Sequence, residues 1–412
     1  MKSIIFLSIL FSAQMLLQLH YSCTIDPPDI PVDTTKSDTI KVDSLLYDII
    51  WQTPQNITDS SGSFSPHFTP VIIGDLVMNA NDVYGREDDV DTITAYKLET
   101  GEVIWKWSDF VSSKKNVSGN AVDQNTLYVT NGFELVAIDA LTGKTIFRRV
   151  SNFGPIYFSV SHQMLFHVDM NQQKLSGDLI IYNTQKKNWD KVVTVHRKEP
   201  FTMYLFPPRA DIHNNGDTLL YFQNRFSHPD KNLQGSELYC YNMTKKEMVW
   251  NSMVDSLVSN VNHPPYVDDS RVYFCSAKTV HCFDKFTGER IWRTHFPNTN
   301  FLATNYLMTE DKIVIGSDNG ERIGVRKSDG KVVYNIKSYA TSFWRLARYK
   351  NWLLNVNKQL EVYDINSGEK KFFINTRHKK GYFNTGVAVD ESTGLFYLPD
   401  GYNMMCIRVK DL

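Results

Sequence analysis

Neither sign of charge is in excess in this chain of 412 residues: 44 Lys and Arg stand against 45 Asp and Glu. With no basic surplus to grip a phosphate backbone, a dedicated nucleic-acid binder is disfavoured. Cysteine is scarce, at five, and glycine and proline number only 21 and 15. These counts exclude a dense disulfide scaffold and a collagen-like or low-complexity chain. Beyond the N-terminus no apolar run approaches the roughly 20 residues of a membrane-spanning helix, and helical periodicity is missing throughout. Aromatics, in contrast, are abundant: 24 Phe, 21 Tyr and 8 Trp within an apolar fraction of 42%. That is enough to fill a large core and excludes a mostly disordered chain. Length alone suggests two or three domains at roughly 100–200 residues each.

Residues 1–22 read as an export signal: Lys2 supplies a positive charge and Ile4 to Leu19 an apolar core, interrupted by Gln14 and Gln18. The segment ends His20-Tyr21-Ser22-Cys23. A cysteine directly after a signal core and a small residue resembles a bacterial lipoprotein signal, which implies lipidation of Cys23. The alternative is ordinary cleavage near Ser22, with Cys23 a bystander. Residues 23–45 are Pro- and Asp-rich without periodicity, as in Asp26-Pro27-Pro28-Asp29. They are expected to form an extended tether.

One pattern recurs downstream. Ala95 is followed by Thr100-Gly101 and Trp105, Ala137 by Asp139, Thr142-Gly143 and Phe147, and Cys282 by Asp284, Thr287-Gly288 and Trp292. Weaker copies run from Gly324 through Gly330 to Tyr334 and from Val362 through Gly368 to Phe372. Cys240 to Trp250 keeps the spacing with Lys245-Lys246 at the turn, and a degraded copy spans Ile181 to Trp189. A last copy begins at Cys406 and stops short of its turn. The anchors at 95, 137, 181, 240, 282, 324, 362 and 406 are therefore 42, 44, 59, 42, 42, 38 and 44 residues apart, a period that signals a propeller or solenoid.

Each unit divides into four strands of period-2 alternation. In the fifth these are Pro265–Val267, Arg271–Ser276, Thr279–Asp284 and Glu289–Thr294. The expected fold is all-β, an eight-bladed propeller of four-stranded antiparallel blades over residues 46–412. The eighth unit is short of an outer strand, and Leu46–Trp51 can supply it. Trp51 then takes the missing aromatic position, and ring closure removes two exposed edges.

Ala-x-Asp-x-x-Thr-Gly-x-x-x-Trp resembles the docking motif of the pyrroloquinoline-quinone-type β-propeller repeat. The resemblance implies that Trp51, Trp105, Phe147, Trp250, Trp292, Tyr334 and Phe372 each pack on the glycine turn of the neighbouring blade. The glycines are Gly101, Gly143, Gly288, Gly330 and Gly368, and the small first residue admits the ring. Cys240, Cys282 and Cys406 share that small-residue slot in different blades, too far apart to bond within the roughly 7 Å a disulfide allows. Cys275 pairs across its hairpin with Val280. All four are expected to be buried thiols behaving as small apolar residues.

Quinone-dependent dehydrogenases of this superfamily carry adjacent cysteines, a calcium site and a catalytic Asp. Here there is no Cys-Cys pair, and Glu87-Asp88-Asp89-Val90-Asp91 has neither the glycine nor the closing Glu of a hand-type calcium loop. It reads as a solvated hairpin. Metalloprotease, nucleotide-loop and hydrolase-elbow motifs are also missing. His67 and His263 occupy matching offsets four blades apart, too far to share a metal. The Asn-x-Ser/Thr triplets at Asn56, Asn116 and Asn242 are read as chance. No catalytic residue, metal or cofactor is expected.

The entries to the innermost strands and the connections between second and third strands share one face. There His67, Phe68, Arg209, His263, Tyr266, Trp344, Arg345, Phe383 and Asn384 are candidates for holding a protein or peptide. The 59-residue spacing is expected to add a long loop, Asn224 to Ser236, to that face. The chain is similar to the propeller lipoproteins of the outer-membrane β-barrel assembly machinery. That similarity implies a monomeric, non-catalytic scaffold in the envelope, its lipid the only membrane contact, holding an envelope protein or an unfolded strand, the latter by strand addition. The alternatives are a surface or periplasmic binder of a glycan or small molecule, and a quinone-dependent dehydrogenase.

Overall fold

The computed structural model describes residues 46–412 apart from 56–67, 82–91, 112–116, 152–155, 171–174, 184–185, 198, 231–233, 256–263, 277, 300, 318, 338–345, 358, 377–382, 384 and 411. The signal segment, Cys23 and the tether thus lie outside the described residues, as do Asn56, Asn116 and the acidic run from Glu87 to Asp91.

Eight antiparallel sheets follow one another and form a propeller ring. Blades 1 to 7 span 71–107, 119–150, 158–196, 202–255, 266–295, 301–337 and 347–374. Blade 8 takes three strands from 388–409 and its outermost strand, Tyr47–Pro54, from the start of the folded region. Within it Trp51 lies opposite Cys406. One closed ring therefore replaces the two or three domains that length suggested, with no helix among the described residues.

Blade 5 falls close to the division read from sequence, with strands Tyr266–Val267, Arg271–Cys275, Thr279–Asp284 and Arg290–His295. The expected alternation survives at the two edges of the blades, as in the first strand Phe158–Ser161 and the outer strand Val332–Lys337. Third strands such as Glu134–Asp139 are buried at five successive positions, because neighbouring blades cover both faces and each face needs apolar cover. The Asp of the motif shapes the turn: Asp284 Oδ1 accepts from the backbone N–H groups of Phe286 at 2.9 Å and Thr287 at 2.8 Å.

The aromatic lies directly across from the small residue of its own blade, as in the pairs Ala95–Trp105, Ala137–Phe147, Cys240–Trp250 and Cys282–Trp292. It also packs on the next blade. Trp51 touches Gly101, Trp105 touches Gly143, Trp250 touches Gly288, Trp292 touches Gly330 and Tyr334 touches Gly368. Each of these glycines has φ between +70° and +74°, a conformation that favours glycine. The indole N–H of each tryptophan donates to the carbonyl three residues before the glycine: Trp51 to Leu98 at 2.7 Å, Trp105 to Ala140 at 2.9 Å, Trp250 to Lys285 and Trp292 to Lys327 at 3.0 Å. A hydroxyl two residues beyond the tryptophan adds a bond to the glycine carbonyl, from Thr53 at 2.6 Å and from Ser252 and Thr294 at 2.5 Å. In blade 3, Tyr182 and Trp189 receive Phe147 instead, the Tyr182 ring stacked 4.1 Å away between centroids.

One expectation needs correction. The 59-residue spacing does not add a loop from Asn224 to Ser236. The second and third strands of blade 4 extend to Thr218–Ser227 and Gln234–Asn242, and Asn224 pairs with Glu237 and Arg225 with Ser236. The first strand of this blade is also split, Thr202–Leu205 and Arg209–Ile212 both pairing with Thr218–Ser227 around Phe206-Pro207-Pro208. Proline offers no N–H to a ladder, so the strand breaks there.

Cys240, Cys275, Cys282 and Cys406 are free and buried, and Cys275 pairs with Val280. Burial pushes the thiols of Cys240 and Cys282 up to about 12 and that of Cys406 up to about 11. Asn242 is buried and donates from its amide to Asp217 Oδ2 at 3.1 Å, leaving no room for a glycan.

Candidate functional site

Antiparallel order sends the turns between first and second strands, and between third and fourth, to one end of every blade. The blade crossings and the connections between second and third strands lie at the opposite end. Of the candidates on that loop face, His67, His263, Trp344, Arg345 and Asn384 lie outside the described residues. Phe68 and Phe383 are buried, at 1% and 0% exposure, in the apolar clusters between blades 1 and 2 and between blades 7 and 8. Tyr266 is half-buried, its ring edge-on to Tyr306 at 5.5 Å. Only Arg209, on the first strand of blade 4, is exposed.

The turn face carries charge in compensated sets. Lys285 and His213 both meet Asp211 Oδ2 at 2.8 Å. One blade further, Lys327 meets Asp268 Oδ2 at 2.8 Å, and the Tyr273 hydroxyl donates to the same oxygen at 3.0 Å. Burial works to raise the Asp268 carboxyl, yet Lys327, the Ser270 N–H and Tyr273 together hold it below the usual carboxylate range. A cavity of about 360 Å³ opens beside this pair, lined also by Arg271, Glu310 and Arg326. Another, of about 320 Å³, is lined by Arg348, Tyr349, Lys350 and Glu391. Among the described residues no His, Cys, Asp and Glu group is arranged to hold a metal ion.

The rim is different. In seven blades the outer strand carries one extra residue immediately before the docking aromatic, a β-bulge that lets consecutive side chains break the strand alternation. In blade 1, for example, Trp105 pairs with Ala95 and Val103 with Tyr96, which leaves Ile104 unpaired. The equivalents are Ile146, Val249, Ile291, Val333, Lys371 and Ile50. The six aliphatics are exposed, from 38% at Val333 to 53% at Ile146. They fall into two arcs, Ile50–Ile104–Ile146 on blades 8, 1 and 2 and Val249–Ile291–Val333 on blades 4, 5 and 6. The sequence signal was plain, an Ile or Val before the aromatic. It reads as ordinary strand composition until the bulge shows that the side chain faces out.

Residues 89–176 and 216–373 match the family model described as outer membrane protein assembly factor BamB. No curated protein matches the chain. Among solved structures, the crystal structure of BamB from Moraxella catarrhalis superposes with a TM-score of 0.56 at 12% identity, over 89% of this chain and 98% of that one. The computationally designed Ika8 protein gives 0.58 at 11% identity, over 84% of this chain and 96% of its own. At such identities the structural likenesses bear on fold alone. The family match spans more than half of the 412 residues and includes the docking motifs of blades 1, 2, 4, 5, 6 and 7, so the chain belongs to the family described as outer membrane protein assembly factor BamB.

Proposed function

We propose that this protein is a non-catalytic scaffold of the cell envelope that holds protein partners during outer-membrane protein assembly. In this reading the partners are barrel-assembly subunits or unfolded apolar segments, and Cys23 carries a lipid that tethers the ring to the outer membrane. The observation that carries the reading is the pair of rim arcs. Six exposed aliphatics recur at one position of the repeat, where the bulge turns them outward and leaves them free to meet a partner. The bulges argue for how it is used. A bulge kinks an edge strand and disfavours a further strand in register, so the partner is gripped through side chains rather than by strand addition. The paired charges of the turn face fit a scaffold better than a catalyst.

Photo-crosslinkers placed at Ile104 and Val249 in cells test this. Adducts with a barrel-assembly subunit or an unassembled outer-membrane protein are expected. Adducts only from Arg209 on the first strand of blade 4, with none from the rim, would overturn the assignment of the surface.

A further inference from the structure

We propose that the ring is built from four two-blade units, 1–2, 3–4, 5–6 and 7–8, and opens along the seams between units rather than blade by blade.

The apolar clusters alternate around the ring. Among the described residues, the clusters of seams inside units hold 15, 11, 10 and 14 buried apolar residues, in the order 1–2, 3–4, 5–6 and 7–8. Those of seams between units hold 5, 9, 7 and 7, in the order 2–3, 4–5, 6–7 and 8–1.

The alternation has one local source. In every blade the residue before the small-residue slot pairs with a second-strand residue, and both face the preceding blade. In even-numbered blades these pairs are Val129–Val136, Phe222–Tyr239, Ile315–Ile323 and Leu398–Met405. All are buried and belong to the large clusters. In odd-numbered blades they are Asn79–Thr94, His167–Ile180, Phe274–His281 and Asn355–Glu361. Each odd-numbered pair brings at least one polar group into the seam between units.

Those polar groups are only partly matched. Between blades 6 and 7, Arg322 Nε donates to Asn355 Oδ1 at 3.1 Å, and Asn355 donates in turn to Glu361 at 2.7 Å. Arg322 Nη2 finds no partner. Between blades 4 and 5, the side-chain polar atoms of Gln223 and Ser236 and both ring nitrogens of His281 are buried without a hydrogen bond, and between blades 8 and 1 so are the side-chain polar atoms of Gln55, together with Asn79 Oδ1 and Thr94 Oγ1. Between blades 2 and 3, His167 bonds the Tyr157 carbonyl at 3.1 Å and Asp169 at 2.9 Å. Among the described residues, the one comparable atom inside a unit is Asn224 Oδ1.

Indole docking does not distinguish the two kinds of seam, since Trp105 serves a seam inside a unit and Trp250 one between units. The difference lies in the layer beneath. A seam with less apolar burial and unmatched polar groups is the weaker interface. In a repeat protein whose stability is a sum of nearest-neighbour terms, opening starts at the weaker interfaces.

Hydrogen-exchange mass spectrometry of the full chain in sub-denaturing guanidinium chloride tests this directly. Blades 1 and 2 should lose protection together, as should 3 and 4, 5 and 6, and 7 and 8, with distinct midpoints across the seams between units. Separation of blades 1 and 2 before 2 and 3, or loss of all eight blades in one step, would overturn the proposal. A double variant, Gln223→Leu with His281→Leu, removes the two larger unmatched polar side chains from the seam between blades 4 and 5 and leaves only Ser236 of the three. Blades 3 to 6 should then exchange as one block, and an unchanged boundary between blades 4 and 5 would equally overturn it.

Discussion

Trp292 of blade 5 lies flat against Gly330 of blade 6, so close that a Cβ on Gly330 would fall 2.5 Å from the indole. Its N–H reaches Lys327 in the same turn at 3.0 Å. Glycine answers two demands here: its backbone sits at φ +74° and its missing side chain makes room for the ring. The contact is a joint between repeats, and substitutions at its two halves separate those demands.

Gly330→Ala meets both the strained backbone and the occupied space, and should destabilise by about 2–4 kcal/mol, combining a positive-φ penalty with overpacking. Gly216 provides the control. Its φ is +84°, but nothing lies within 4 Å of the position a Cβ would take. Gly216→Ala should therefore cost only the backbone part, about 1–2 kcal/mol. Equal shifts in guanidinium midpoint for the two variants would show that ring contact contributes nothing.

Truncating the aromatic half removes packing and a hydrogen bond together. Trp250 is 8% exposed and donates to the Lys285 carbonyl. Trp250→Ala should cost roughly 3–5 kcal/mol, whereas Trp250→Phe keeps most of the packing and should lose about 1–2 kcal/mol with the bond. Calorimetric melting of both variants checks the ranking, and a near-neutral alanine variant would contradict the joint.

The repeat spacing made the fold legible because the docking aromatic, the turn glycine and the small slot obey a fixed offset, and that offset is a geometric requirement of blade on blade. It even located Trp51 in the closing blade. Where the motif decays, the backbone demand persists without its residue: Lys187 and Lys246 hold the glycine position at φ +52° and +59°. The length of blade 4 is not legible in this way, because a long spacing does not say whether extra residues lengthen strands or a loop. The loop-face candidates were chosen by residue type, and Phe68 and Phe383 turned out to be buried. Aromatic identity marks cores and interfaces alike. The rim aliphatics went unseen for the opposite reason, because a bulge is a matter of register that composition does not carry.

His281 gives the fold an acid-sensitive element. Burial, reinforced by Arg290, Arg293 and His295, holds its imidazole well below the ordinary value of 6.5. The unfolded chain therefore takes up a proton near pH 6.5 that the folded chain refuses. The stability due to neutral His281 is complete above that pH and is lost as pH falls below it. From pH 8 to pH 5 the wild type should lose more stability than His281→Gln, as judged from urea midpoints. Parallel pH profiles for the two proteins would refute this.

The four propeller cysteines should resist alkylation in the native state, because the thiolate is the reactive form and burial keeps it from forming. Iodoacetamide at pH 8 followed by peptide mass spectrometry should find Cys240, Cys275, Cys282 and Cys406 unmodified, and fully modified after denaturation. Native labelling of any of them would mean that its seam opens on the timescale of the reaction.

At the rim, folding and the proposed partner binding can be tested separately. Ile104 and Val249 are 45% and 42% exposed, and each is the unpaired residue of its bulge. Lysine there keeps its stem along the strand and its charge in water. Ile104→Lys and Val249→Lys should therefore shift stability by no more than about 0.5 kcal/mol, while a charge in the middle of the first arc and at the end of the second should abolish crosslinks to a partner held by apolar contact. Lys371 shows that the fold accepts lysine at this bulge position in blade 7. Should the lysine variants keep both their stability and their partner, the aliphatic arcs would be a by-product of strand composition, and the binding surface would have to lie on the loop face instead.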